Sequence, residues 1–377
     1  MSSYNERHLF PGANTPQGFF SYFNNILDKT KASRVYCLKG GPGVGKSSYM
    51  KHVAGAFSKS GIQLEYLHCS SDPFSLDGIH LPQYGIALLD GTSPHVIDPV
   101  YPGAVDEIIN LGRFWKAEGI RAHREEIMST QANISYEFSR AYRYLAAAES
   151  IDKDSAVLLS SAYSEEPIQE FAESLSKTVL GDYQGHTGKT VRRMFATAIT
   201  PAGLVNYVDT VLYNCKRVYA IVTGDSTASC RECDRVMDSL LADALRRNIH
   251  CEAYYCPMRP TRSIEHIVIP ELETGITVLN KYNTDDTTAT QVYDLREYAN
   301  KSLLRSNSEK LEENNHMYAE LLRLALRALK DAYWLHNAME AYYVPNMDFE
   351  SSNAHCEATV AEIKELIQKA DEQAEQP

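Results

Sequence analysis

No apolar run in this 377-residue chain approaches the roughly 20 residues that span a bilayer. The opening residues, MSSYNERHLFPG, lack the apolar core of a secretory signal. Positive charge is in deficit: 37 Lys and Arg face 49 Asp and Glu, a formal net charge of −12. Such a balance does not supply the clustered cations that neutralise a nucleic-acid backbone, and GKTVRR at 188–193 is only a local exception. Eight cysteines spread over this length do not make the dense framework of a disulfide scaffold. These absences point to a cytoplasmic, reduced setting without a membrane span or a nucleic-acid partner.

What is present is a repeat. RHLFPGANTPQGFFSY at 7–22 aligns with RRMFATAITPAGLVNY at 192–207. At one fixed offset of 185, Arg7/Arg192, Phe10/Phe195, Ala13/Ala198, Thr15/Thr200, Pro16/Pro201, Gly18/Gly203 and Tyr22/Tyr207 are identical. Arg34-Val35-Tyr36 then matches Arg217-Val218-Tyr219, Cys69 and Pro73 match Cys256 and Pro260, and GIALLD at 85–90 matches GITVLN at 275–280. Farther on, Phe138, Ala141, Leu145 and Ala148 have partners Leu322, Ala325, Leu329 and Ala332, all offset by 184. Gap-free identity of this kind indicates two tandem halves, about 1–182 and 183–377.

Each half reads in the same order. Apolar runs predict strands at 35–39, 62–68 and 85–90, and again at 218–222, 249–255 and 275–279. Met50, Val53 and Phe57, and in the second copy Val236, Leu240 and Ala244, mark one face of a helix after the first strand. Strands alternating with helices predict a parallel sheet covered on both faces. Apolar residues at three- and four-residue spacing after Trp115 and Leu295 predict long helical regions, about 115–180 and 295–375.

One motif carries chemistry. GGPGVGKS, from Gly40 to Ser47, fits G-x-x-x-x-G-K-[ST] and sits between the strand VYCLK and the helix that begins at SSYMKHVAGAF. Glycines let backbone N–H groups curl around a phosphate without Cβ clashes. The helix amino terminus adds partial positive charge. Gly40, Gly41, Pro42, Gly43, Val44, Gly45, Lys46, Ser47 and Ser48 are therefore the predicted binding residues for a nucleoside triphosphate, ATP, with Lys46 on the β- and γ-phosphates. Mg²⁺ would be held by the Ser47 hydroxyl and by an acid at the end of a neighbouring strand, and IALLD supplies Asp90. The fold class that follows is α/β, two tandem P-loop NTPase-like domains with parallel sheets, each with a long α-helical extension.

No Glu follows Asp90, so the usual place for a hydrolytic base is empty. SSDPFSLDG at 70–78 and DGTSPHVIDPVYPG at 90–103 lie after strands, where an open α/β sheet binds its ligands. Asp72 and His95 are the candidates for water activation. Thr92, Asp98 and Asp77 are placed near the same edge, and in a kinase reading Asp72 or Asp77 would orient an acceptor hydroxyl.

The spacing of TPQG, GGPGVGKS, SSDPFSLDG and DGTSPHVIDPVYPG resembles a family of bacterial ATPases with two P-loop halves, over nearly the whole chain. The resemblance implies ATP binding by Gly40–Ser47, with Asp90 as the acid that holds the metal. It also implies a second phosphate-binding loop, and here the chain departs. RVYAIVTGDSTASC at 217–230 places Cys230 or Ser229 where Lys46 stands, and Asn280 where Asp90 stands. A neutral side chain cannot offset a γ-phosphate, and Arg231 cannot ligate a metal. The second half is expected to be a degenerate scaffold or an activator, with Arg192, Arg193 or Arg7 as hypothetical donors across the interface.

Three further matches fail or stay open. CREC at 230–233, with Cys251 and Cys256 downstream, fits no standard zinc spacing, and a redox pair Cys230–Cys233 at a helix start remains an alternative. GHTGKT at 185–190 has no strand before it, and NKYN at 280–283 lacks the acid of a guanine-reading element, which favours ATP over GTP. Three functions fit the residues: an ATPase coupled to a partner, a non-hydrolytic nucleotide switch, and a kinase for a small acceptor.

Overall fold

The computed structural model describes residues 5–94, 96–186, 188–224, 231–284 and 289–374. The first half contributes β1 (Glu6–Leu9), a hairpin of β2 (Gly12–Thr15) and β3 (Gly18–Ser21), β4 (Arg34–Lys39), α1 (Lys46–Phe57), β5 (Leu64–His68), β6 (Leu76–Leu81), β7 (Ile86–Asp90) and β8 (Asp106–Asn110). Helices α2 (Ala117–Arg121), α3 (Arg124–Ser160) and α4 (Glu165–Leu180) follow. The second half repeats this with β9 (Val191–Met194), β10 (Thr197–Thr200), β11 (Gly203–Asn206), the added α5 (Val208–Leu212), β12 (Arg217–Gly224), α6 (Arg231–Arg246), β13 (Cys251–Tyr255), β14 (Ile264–Ile269), β15 (Thr274–Asn280) and β16 (Gln291–Asp294). It ends with α7 (Lys301–Ser306), α8 (Ser308–Tyr343) and α9 (Phe349–Ala374).

The two six-stranded sheets have the same order, β1-β5-β6-β7-β4-β8 and β9-β13-β14-β15-β12-β16. They are mixed rather than purely parallel. β6 runs antiparallel to both β5 and β7, and β14 does the same between β13 and β15. The sequence reading left these two strands out, because LDGIHL shows no two-residue alternation. All six of its residues are buried, as in a central strand covered on both faces. Gly78 is required there, since a Cβ would lie 2.8 Å from Leu89 and 2.9 Å from Leu67. The hairpin β2–β3 is a further element that the strand pattern does not predict.

The helical regions are exchanged between the halves. α3 and α8, 37 and 36 residues long, lie antiparallel: the His123 ring lies tilted against that of Tyr342, centroids 4.9 Å apart, while at the other end Asn314 donates to Asp154 at 2.8 Å. Their seam places Ala141, Leu145 and Ala148 in one cluster with Leu322, Ala325 and Leu329, the residues of the internal repeat. After each long helix the chain continues on the other half. α4 packs on α6, with Ser176 donating to Asp243 at 2.5 Å and Phe171 meeting Tyr298. α9 packs on α1, with the Tyr49 hydroxyl 2.6 Å from Thr359 and 2.9 Å from His355. Backbone bridges Trp115–Met347 and Tyr163–Ala299 mark the equivalent crossings.

The sheets meet at their β1 and β9 edges. Phe10 and Phe195 exchange both backbone hydrogen bonds, at 2.9 and 3.1 Å. Beside them, Arg7 and Arg192 share two buried carboxylates, Glu65 and Glu252. Arg192 reaches Glu65 at 2.6 and 2.7 Å and Glu252 at 3.4 Å, and Arg7 reaches Glu65 at 3.3 Å and also pairs with Glu252. Burial opposes ionisation of Glu252, but Arg7 outweighs it and holds the carboxyl down at about 2. Among the described residues, no helix is long and apolar enough to cross a membrane.

Candidate functional site

β4 delivers the chain to the glycine-rich loop, and α1 begins at Lys46 directly after it. Gly43 and Gly45 have φ of 64° and 89°, conformations that side chains rarely adopt, which is why the sequence places glycine there. Gly45 caps α1, leaving the first-turn N–H groups of the helix directed into the loop. A Cβ at Gly40 would lie 2.7 Å from Val44, so that glycine closes the curl.

Lys46 folds back over the loop it ends. Its Nζ donates to the Gly40 carbonyl at 3.2 Å and the Gly41 carbonyl at 3.0 Å, and stands 3.7 Å from Asp90 Oδ2. Asp90 is buried at the end of β7, the strand that pairs with β4, so the sheet register brings acid and lysine together. Its Oδ1 accepts from the Thr92 backbone N–H at 2.8 Å and hydroxyl at 2.6 Å, which fixes the carboxylate. The Ser47 hydroxyl oxygen accepts from Leu76 N–H at 3.0 Å, and Ser48 is exposed.

The other predicted residues divide. Asp72 accepts from Phe74 N–H at 3.1 Å and from the Ser75 hydroxyl at 2.5 Å, so it shapes the turn before β6. Asp98 is 3.0 Å from Lys39, whose Nζ also donates to the Gly91 and Ile97 carbonyls at 2.7 Å; this clamp holds the 90–98 segment rather than a ligand. Asp77 is a buried β6 residue, not a loop residue, and with burial it pushes the Cys69 thiol well up. That placement removes it as an acceptor-orienting group. His95 lies outside the described residues. The arginine donors are corrected as well: Arg7 and Arg192 are committed to Glu65 and Glu252, and Arg193 Nε donates to the Tyr255 hydroxyl at 3.4 Å.

What crosses from the second half is the end of α8. A Cβ at Gly43 would lie 3.0 Å from Val344 and 3.2 Å from Glu340, and one at Gly41 would lie 2.9 Å from the Tyr343 ring. One turn earlier, His336 Nε2 is 3.7 Å from Glu340 Oε1. Burial, the largest influence, lowers its pKa; Lys46 adds to this, and Glu340 and Asp72 oppose it. Sequence reasoning missed His336, Glu340 and Tyr343. They belong to one helix of the other half, and only the exchange of helices brings them to the loop.

The equivalent corner of the second half is built differently. Asn280 Oδ1 accepts from the N–H groups of Tyr282 and Asn283 at 2.8 and 2.9 Å, so it forms a turn where Asp90 would hold a metal. Gly224 packs against Arg296, which is held by Asp294. Residues 225–230, including Ser229 and Cys230, lie outside the described residues. Cys233 is buried on α6, and burial raises the Cys251 thiol to about 12. Among the described residues, no three His, Cys, Asp or Glu side chains gather as a metal site. Comparison with protein-family models, curated proteins and solved structures gave no match for this chain.

Proposed function

We propose that this protein binds ATP with Mg²⁺ at the Gly40–Ser47 loop and hydrolyses it there, the second half serving as a scaffold that closes the site. The observation that carries this reading is the loop between β4 and α1, with Gly43 and Gly45 left-handed and Lys46 3.7 Å from Asp90. The residues suit the metal as well. Mg²⁺ is commonly bound by one or two protein groups plus substrate phosphates, not by an all-protein cage, and Ser47 and Asp90 would be those groups. When bound, the metal would offset the negative charge of the phosphates.

The chain's own part is positioning and electrostatics. Backbone N–H groups of the loop and of the first turn of α1 receive the phosphates. Lys46 turns its ammonium from the Gly40 and Gly41 carbonyls to the terminal phosphate. Asp90, its Oδ1 fixed by Thr92, would hold the metal together with Ser47. His336, 3.7 Å from Glu340 on α8 and with its pKa lowered by burial, is the imidazole assigned to the attacking water.

Lys46→Ala tests the reading. Loss of one positioned cation is expected to lower ATP turnover by about 10²–10³-fold. Unchanged phosphate release in a folded Lys46→Ala variant would refute it. A second reading, a nucleotide switch without turnover, is favoured by Gly91 standing where a carboxylate base would follow Asp90. Steady-state phosphate release separates the two.

A further inference from the structure

Where the strands of the second sheet end, the molecule holds a cavity of roughly 70 Å³. It sits at the corner that carries Lys46 and Asp90 in the first half, and Asn280 is part of its lining. Its charge has the opposite sign. Asp152 from α3, Asp234 from α6 and Glu265 from β14 line it, and the Arg259 guanidinium is 3.2 Å from Asp152 Oδ2 and 3.4 Å from Asp234 Oδ2. Asp152 is only 2% exposed, yet its Oδ1 has no hydrogen-bond partner. Glu265 Oε2 and the Thr197 hydroxyl, the latter on a residue 6% exposed, are in the same condition.

Buried acceptors without donors are costly, and Arg259 offsets only one of the charges that Asp152, Asp234 and Glu265 bring to the lining. A phosphate is excluded by that sign. A metal ion is disfavoured, because among the described residues no three candidate ligands converge. A ligand that brings several N–H donors and one positive charge satisfies both needs. The rings of Tyr282 and Tyr318 in the lining also suit a cation. At ~10–15 Å³ per water-sized centre, the volume holds about five non-hydrogen atoms.

We propose that this cavity is a binding site for a small primary ammonium ion, an amine of a few carbon atoms, held by Asp152 and Glu265. The site is separate from the nucleotide loop and independent of its assignment.

The titratable groups facing the cavity set its pH dependence. Burial raises Asp152 and Asp234 to about 6, against the pull of Arg259, and raises Glu265 to about 7. Glu149 and Lys153 flank Asp152 on α3, and Asp238 flanks Asp234 on α6. Lys281 stands over the Tyr282 ring. Cys233 lines the cavity too, while burial keeps Cys256, Tyr282 and Tyr318 protonated. A cation needs the carboxylates ionised, so affinity should rise from pH 5 to pH 8.

The test is a calorimetric titration of the full chain with methylammonium chloride at constant chloride. Saturable binding at pH 8, weaker at pH 5 and unchanged in Lys46→Ala, is the expected result. Glu265→Gln, which keeps the side-chain volume and both Arg259 pairs, should weaken binding about tenfold, the size of one charge-assisted hydrogen bond. Asp152→Asn is the companion variant, with its melting curve recorded because it loosens Arg259. No saturable binding at pH 8, or equal affinity in folded Glu265→Gln, would overturn the proposal.

Discussion

Arg192→Met should unlock the seam between the two sheets, and its cost follows from burial. The Glu65 side chain is 1% exposed and takes two hydrogen bonds from Arg192, at 2.6 and 2.7 Å. Without that guanidinium it keeps Arg7 at 3.3 Å and His80 at 2.8 Å. Removing one partner of a buried ion pair costs about 3–5 kcal/mol, and the remaining partners place this case near ~3 kcal/mol. The pH dependence has a defined sign. Glu65 and Glu252 have pKa values below their unfolded values, despite burial, because of the arginines. Their contribution is present above the unfolded pKa of about 4.3 and is lost as pH falls through their lowered folded values. The penalty of Arg192→Met should therefore be largest at neutral pH and shrink on acidification, because Glu65 protonates at higher pH in the variant than in wild type. Denaturant midpoints of wild type and variant from pH 3 to pH 8 measure this. A loss under ~1 kcal/mol at pH 7, or one that grows on acidification, would refute the reasoning. Because Arg192 is committed to carboxylates, ATP turnover of the folded variant should match wild type.

Other predictions follow from single contacts. Gly43→Ala, at φ 64° and 3.0 Å from Val344, should weaken ATP binding while melting near wild type; unchanged affinity would separate the loop from the ligand. Truncation after Asp348 removes α9 and should raise hydrogen exchange in α1 of the first half while sparing α6; the opposite pattern would contradict the exchange of helices. His336→Ala should lower turnover more than ATP affinity and flatten its acid limb, which a packing role would leave in place. Glu265→Gln should gain stability over wild type as pH rises from about 4 to above 7, because burial raises Glu265 to about 7 and its ionisation opposes folding; equal stability at pH 8 would dismiss that.

The loop, Asp90 and the internal repeat were legible because their signals are local. Glycines at Gly43 and Gly45 answer to backbone angles, and Lys46 meets Asp90 because β4 and β7 are neighbouring strands. β6 was not legible, since LDGIHL is buried on both faces and carries no period, and its own Asp77 was read as a loop residue. The arginines were recognised as a repeated pair but assigned to phosphate chemistry. Charge alone could not show that Glu65 and Glu252, spaced 187 apart in sequence, were waiting for them. His336 and Glu340 lay beyond reach for a related reason: the repeat shows that two long helices exist, not that each one crosses to the other sheet.

The central claim is that one phosphate-binding site exists per chain and that Lys46 is its cation. Equilibrium titration with ATP and Mg²⁺, comparing wild type with Lys46→Ala, tests it most directly. The account predicts one ATP per chain in wild type and none in the variant at the same concentrations. Two ATP per chain, or one that persists in folded Lys46→Ala, would contradict it.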